Sequence, residues 1–127
     1  VHLRMGDYLH LTSLYHTPDV PFLNEALARL SGNISKLVIF SDSPGLARKL
    51  MDNVPEARRF EIVMDELATL GALRELTSMQ ELVLSCSSFS WWGAYLGDQG
   101  KVFIQKEWFA GKITDYHDFY RNKWIKI

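Results

Sequence analysis

Short runs of consecutive apolar residues alternate along this chain with segments in which apolar positions recur every three or four residues. Val1 to Arg4 is an apolar run closed by Gly6-Asp7, the pattern of a strand entering a turn. Thr17-Pro18-Asp19 then supplies cap and first-turn chemistry for a helix whose apolar face is Phe22, Leu23, Ala26, Leu27 and Leu30, stopped by Gly32-Asn33. Leu37 to Phe40 is uninterruptedly apolar, as expected of a strand covered on both faces. Ser41-Asp42-Ser43-Pro44 reads as turn and helix start, with Ala47, Leu50 and Met51 on the helix that follows.

Phe60 to Val63 predicts a third strand, and Asp65 to Gln80 a helix with Asp65 as cap and a stripe of Leu67, Leu70, Leu73, Leu76 and Met79. Glu81 to Cys86 predicts a fourth strand, Trp91 to Leu96 a short helix closed by Gly97, and Lys101 to Gln105 a fifth strand. Trp108 to Ile127 is aromatic-rich and irregular, read as a closing segment. Strand and helix alternating at this spacing predict an α/β fold: a Rossmann-like parallel sheet of about five strands with helices on both faces. No repeat, linker or low-complexity tract divides residues 1–127, so a single domain is expected.

Composition narrows the function classes. A chain of 127 residues with 47% hydrophobic and 23% charged residues can bury one core and is not disordered. Its formal net charge of −1 gives no long-range attraction to nucleic acid or an anionic membrane, although a local basic pocket could still take a phosphate. One cysteine, Cys86, excludes an internal disulfide and a cysteine-rich zinc site, and His10, His16 and His117 lack metal-ligand spacing. No apolar run reaches the roughly 18 residues of a membrane span. The chain opens on Val1-His2-Leu3-Arg4 as a strand already under way, the start expected of a piece of a longer protein.

Ligands of an open parallel sheet bind outside the carboxyl ends of its strands. Three polar clusters fall there. His2 and Arg4 lie two residues apart on the first strand and so share a face; Arg4 either clamps a diphosphate in bidentate fashion or pairs with Asp7 to fix the turn. Ser41-Asp42 either contacts a nucleoside or forms an ordinary turn and cap. Ser87, Ser88 and Ser90 surround Phe89 ahead of a helix, either as hydroxyls and free N–H groups of an anion site or as a plain cap before core tryptophans.

These segments together resemble the α-1,2-fucosyltransferases of glycosyltransferase family eleven. Val1-His2-Leu3-Arg4-Met5-Gly6-Asp7-Tyr8 resembles the family's His-x-Arg-Arg-Gly-Asp-Tyr motif, and Phe40-Ser41-Asp42 its Phe-Ser-Asp-Asp segment. Ser87-Ser88-Phe89-Ser90-Trp91-Trp92-Gly93-Ala94 resembles its Asn-Ser-Ser-Phe-Ser-Trp-Trp-Gly-Ala stretch, and Lys101 to Ile104 with Trp108-Phe109 is similar to the strand and Lys-x-Trp-Phe tail that follow. Two positions depart from the pattern: Met5 stands where a second Arg is usual, and Ser43 where a second Asp is usual.

The resemblance implies transfer of L-fucose from GDP-fucose to a hydroxyl of a galactose-containing glycan, with inversion and without a metal or other cofactor. It implies the C-terminal, donor-binding half of a two-domain glycosyltransferase B-type fold, the acceptor-binding N-terminal half lying elsewhere. Carried over by position, Arg4 and Asp7 become the catalytic pair, Arg4 meeting phosphate and Asp7 shaping its loop. His2, Arg4, Asp42, Ser87, Ser88, Phe89, Ser90 and Trp91 become donor-binding residues. The full-length protein would sit in the cytoplasm or peripherally on a membrane in a bacterium, and in the Golgi membrane in an animal. The alternative is a nucleotide- or glycan-binding α/β module without catalysis.

Overall fold

The computed structural model describes residues 1–65, 67–111 and 117–127. Six strands are formed among them: β1 (His2–Leu3), β2 (Lys36–Ser41), β3 (Glu61–Met64), β4 (Glu81–Leu84), β5 (Lys101–Ile104) and β6 (Ile125–Lys126). All pair in parallel, in the order β3-β2-β1-β4-β5-β6. The helices are α1 (Val20–Ala28), α2 (Pro44–Asp52), α3 (Thr69–Ser78) and α4 (Ser88–Leu96). The sheet therefore grows outward from β1 in both directions, the doubly wound arrangement whose crevice opens where the order reverses. Expected as about five strands, the sheet has six: the segment read as irregular ends in β6, whose Ile125 and Lys126 sit in register with Phe103 and Ile104.

Alternation along the strands builds two cores. Leu3, Leu37, Ile39, Val83 and Phe103 face α1 and α2, while Phe40, Leu82, Leu84, Val102 and Ile104 face α3 and α4. Helices thus cover both faces, and the runs of β2, β4 and β5 read as continuously apolar for that reason. Helix α1 begins as its sequence predicts, the Asp19 carboxylate accepting from the Phe22 N–H at 2.9 Å.

Two helix starts differ from expectation. α3 begins at Thr69, not Asp65; the Asp65 N–H still donates to the Ile39 carbonyl at 2.8 Å, prolonging the strand ladder. A stripe stepping strictly by three also drifts about 60° per step around a helix, so it cannot all face one way. Leu67 and Leu70 are exposed, and the helix buries Ala72 and Leu76 instead. α4 begins at Ser88, not Trp91, buries Ser90, Gly93 and Ala94, and packs on α3 at Gly93. A Cβ on Gly93 would lie 2.8 Å from the Leu76 Cβ, so this close helix pair selects small residues. The bulky Trp91, Trp92, Tyr95 and Leu96 are turned away from that contact.

Candidate active site

The carboxyl ends of β1, β2, β3 and β4 enclose a crevice of about 400 Å³ at the reversal of strand order. His2 and Arg4 enter it from β1, Ser41 and Asp42 from β2, Asp65 and Leu67 from β3, and Ser87 and Phe89 from the start of α4. The three clusters predicted from sequence therefore meet in one place.

Arg4 is fixed by carboxylates on two sides. Its Nη2 lies 2.8 Å from Asp7 Oδ1 and its Nη1 3.3 Å from Asp42 Oδ2, and the guanidinium rests 5.2 Å from the Tyr8 ring centroid. Arg4 thus pairs with Asp7, as the turn-fixing reading expects, and it also lines the crevice. The Asp7 carboxylate is mostly exposed, so its pair is weak and can exchange for an incoming phosphate at little cost.

Asp42 is the connector between the first two strands. Its Oδ1 accepts from the Met5 N–H at 2.9 Å while its Oδ2 faces Arg4. Beside it the Ser41 hydroxyl donates to the Leu3 carbonyl at 2.7 Å and accepts from the Ser43 N–H at 3.1 Å. Neither side chain caps α2, whose N-cap residue is Ser43. Gly6 lets this happen: a Cβ there would stand 2.5 Å from Asp42 Oδ2. Across the sheet, the Arg4 N–H donates to the Ser85 hydroxyl at 2.7 Å, tying the Arg4 loop to β4.

His2 is buried and packs against Phe89, ring centroids 5.6 Å apart. Burial, its largest influence, lowers its pKa to about 3, so it is neutral at ordinary pH, and its Nδ1 meets no hydrogen-bond partner among the described residues. Burial likewise raises the Cys86 thiol to about 12, which removes it as a nucleophile. Among the described residues no cluster of His, Cys, Asp or Glu is arranged to hold a metal ion.

The helix starts around the crevice share one property. α2, α3 and α4 receive no side-chain cap, whereas α1, outside the crevice, is capped by Asp19. Their first-turn N–H groups carry partial positive charge and remain free of side-chain oxygens, which suits an anion. Arg4 is the one full cation among the described lining residues, which also include the carboxylates of Asp42 and Asp65.

Other residues carried over from the motifs lie elsewhere. The Ser90 hydroxyl is fully buried and donates to the Ser87 carbonyl at 3.2 Å. Ser88 and Trp91 lie on the far side of the α4 first turn, where the Trp91 indole N–H donates to the Phe119 carbonyl at 2.6 Å. Met5 is buried with Leu3 in the α1–α2 core, so a side chain at this position points away from the crevice. Asp65 is the lining residue that sequence reading misassigned, as a helix cap; a carboxylate directly after a strand was the available signal.

The glycosyl transferase family 11 model matches residues 1–127. A curated relative, an alpha-1,2-colitosyltransferase of Escherichia coli, is 26% identical over 140 aligned positions, covering 100% of this chain and 46% of the relative. The chain thus spans about half the length of that relative. No solved structure matches it.

Proposed function

The chain belongs to glycosyl transferase family 11, and from that premise we propose that it holds the nucleotide-sugar donor in a fucosyl transfer from GDP-fucose to a galactoside hydroxyl. The observation that carries this reading is the convergence of Arg4 and three uncapped helix starts on one crevice at the switch point of the sheet. As the bond between the fucosyl anomeric carbon and the diphosphate breaks, negative charge grows on the leaving oxygen. Preorganised donors aimed there lower the barrier without reorganising. Arg4 and the α4 first turn, with the Ser87 hydroxyl, would meet the diphosphate; Asp65, two strands away, would accept from ribose hydroxyls. Attack by the acceptor oxygen from the opposite face gives inversion.

In this reading the chain is the donor-binding half of a two-domain, glycosyltransferase B-type enzyme. The resemblance to α-1,2-fucosyltransferases favours fucose; the name of the Escherichia coli relative supplies a second reading in which the donor carries colitose. Incubating the longer protein with GDP-fucose or GDP-colitose and a galactoside, and weighing the product by mass spectrometry, tests both. Product from GDP-fucose supports the first reading and product from GDP-colitose alone the second. Binding of GDP without any transfer would leave a non-catalytic module.

A further inference from the structure

A second concavity, lined by aromatic rings, lies on the other side of the α4 first turn from the crevice. Trp91, Trp92, Trp108 and Phe119 enclose about 400 Å³, with Ser88 and Asp118 as its polar members. Consecutive residues separate the two sites: Ser87 and Phe89 line the crevice and Ser88 lines the groove. Both open at the carboxyl end of the sheet, since α4 starts after β4 and Trp108 follows β5.

The rings are held, not loose. Trp91 stacks on Tyr95 with centroids 4.8 Å apart, meets Trp124 edge-on at 5.9 Å, and has its N–H bonded to the Phe119 carbonyl. Trp108 meets Phe119 edge-on at 5.6 Å and is itself buried. Trp92 stands perpendicular to Trp91 and is 49% exposed, presenting a large apolar ring to water. Rigid aromatic walls with a hydroxyl and a carboxylate at their margin are the chemistry that recognises a sugar: ring faces cover its C–H surface while the oxygens bond its hydroxyls.

From this we infer that the groove binds a pyranose ring of the acceptor glycan, with Trp92 as its stacking face and Ser88 and Asp118 as hydroxyl partners. The inference rests on the donor reading of the neighbouring crevice. Transfer requires the acceptor oxygen about 3–3.5 Å from the donor's anomeric carbon, so an acceptor subsite must adjoin the donor site. A groove one residue along the same helix turn adjoins the crevice as that requirement asks, and the other half of a longer enzyme would contribute the rest of the acceptor contacts.

The test titrates methyl β-galactopyranoside and methyl β-glucopyranoside into the chain, following tryptophan fluorescence and saturation-transfer NMR, with wild type, Trp92→Ala, Asp118→Asn and Arg4→Ala. Trp92 and Asp118 are exposed, so these replacements leave the fold intact. Binding of at least one glycoside with millimolar affinity is expected, weakened about tenfold by Trp92→Ala and several-fold by Asp118→Asn. GDP affinity should be unchanged in both. Arg4→Ala should do the reverse, losing GDP and keeping the glycoside. Absence of glycoside binding to wild type, or binding indifferent to Trp92→Ala, overturns the inference while leaving the donor reading to stand on its GDP data. A wild type that self-associates, with Trp92→Ala monomeric and neither binding sugar, also overturns it and makes the groove a protein interface.

Discussion

Replacing Gly6 with alanine should destabilise the chain chiefly through Asp42, with a lesser contact to the Ser43 hydroxyl at 3.3 Å. The new Cβ would lie 2.5 Å from Asp42 Oδ2 and 3.3 Å from Asp42 Cγ. The clashing atom ends a short side chain, so rotating it away relieves the overlap cheaply. Rotation, however, takes the Oδ1 acceptor from the Met5 N–H, now bonded at 2.9 Å, and Oδ2 from Arg4 at 3.3 Å. A hydrogen bond to a charged acceptor contributes about 1.5–3 kcal/mol, and its loss leaves a part-buried N–H unpaired. The Arg4–Asp42 pair is a quarter to a third exposed on its two side chains and adds only about 0.2–1 kcal/mol after screening. The sum is about 2–4 kcal/mol, or a midpoint lowered by about 8–15 °C for a chain of this length.

Thermal and urea unfolding of wild type, Gly6→Ala, Asp42→Ala and the double variant would measure it. With Asp42 already truncated, only the Ser43 hydroxyl at 3.3 Å is left for the new Cβ to meet, so Gly6→Ala should cost no more than about 1 kcal/mol, and most of the single-variant effect should appear as coupling. Equal cost of Gly6→Ala in both backgrounds would refute the mechanism and place the requirement for glycine in the backbone itself.

Two further outcomes follow from the same geometry. Ser87→Ala should weaken GDP binding several-fold with little change in stability, because its hydroxyl opens on the crevice; Ser90→Ala should leave GDP binding intact and cost about 1 kcal/mol, because its buried hydroxyl bonds the Ser87 carbonyl. Calorimetry with GDP and urea unfolding on both variants separate these roles. His2 should make the chain acid-sensitive: the unfolded state takes up the proton near 6.5 and the folded state only near 3, so stability is complete above the first value. It then falls by about 1.4 kcal/mol per pH unit as the pH drops towards the second. Urea unfolding of wild type and His2→Phe between about pH 7 and pH 5 checks this; an identical slope in both would show that His2 is not the group responsible.

The sheet and its strand-to-helix alternation were legible because β2, β4 and β5 are apolar on both faces, a signal independent of partners. What misled was local. The strand pattern of Ile125-Lys126 is two residues long and acquires its identity only by pairing with β5. The leucines from Leu67 to Met79 suggested a long amphipathic helix, yet Asp65 continues the ladder of β3 and its carboxylate is left for the crevice. Of Trp91 and Trp92, which consecutive helix positions turn about 100° apart, Trp91 packs against the second core and Trp92 is exposed, while the close approach of α3 at Leu76 admits only the small face of α4. The clusters around Arg4, Asp42 and Ser87 were found because they end strands. Their mutual bonds were not readable, since Asp42 forgoes the local cap and reaches 37 residues back to Met5.

The central claim, that Arg4 and the uncapped helix starts form a diphosphate site, is tested most directly by isothermal titration of GDP into wild type and Arg4→Ala. The account predicts binding in the micromolar-to-millimolar range for wild type, roughly −8 to −4 kcal/mol, and no measurable heat for Arg4→Ala. Equal GDP affinity in the two proteins would contradict it.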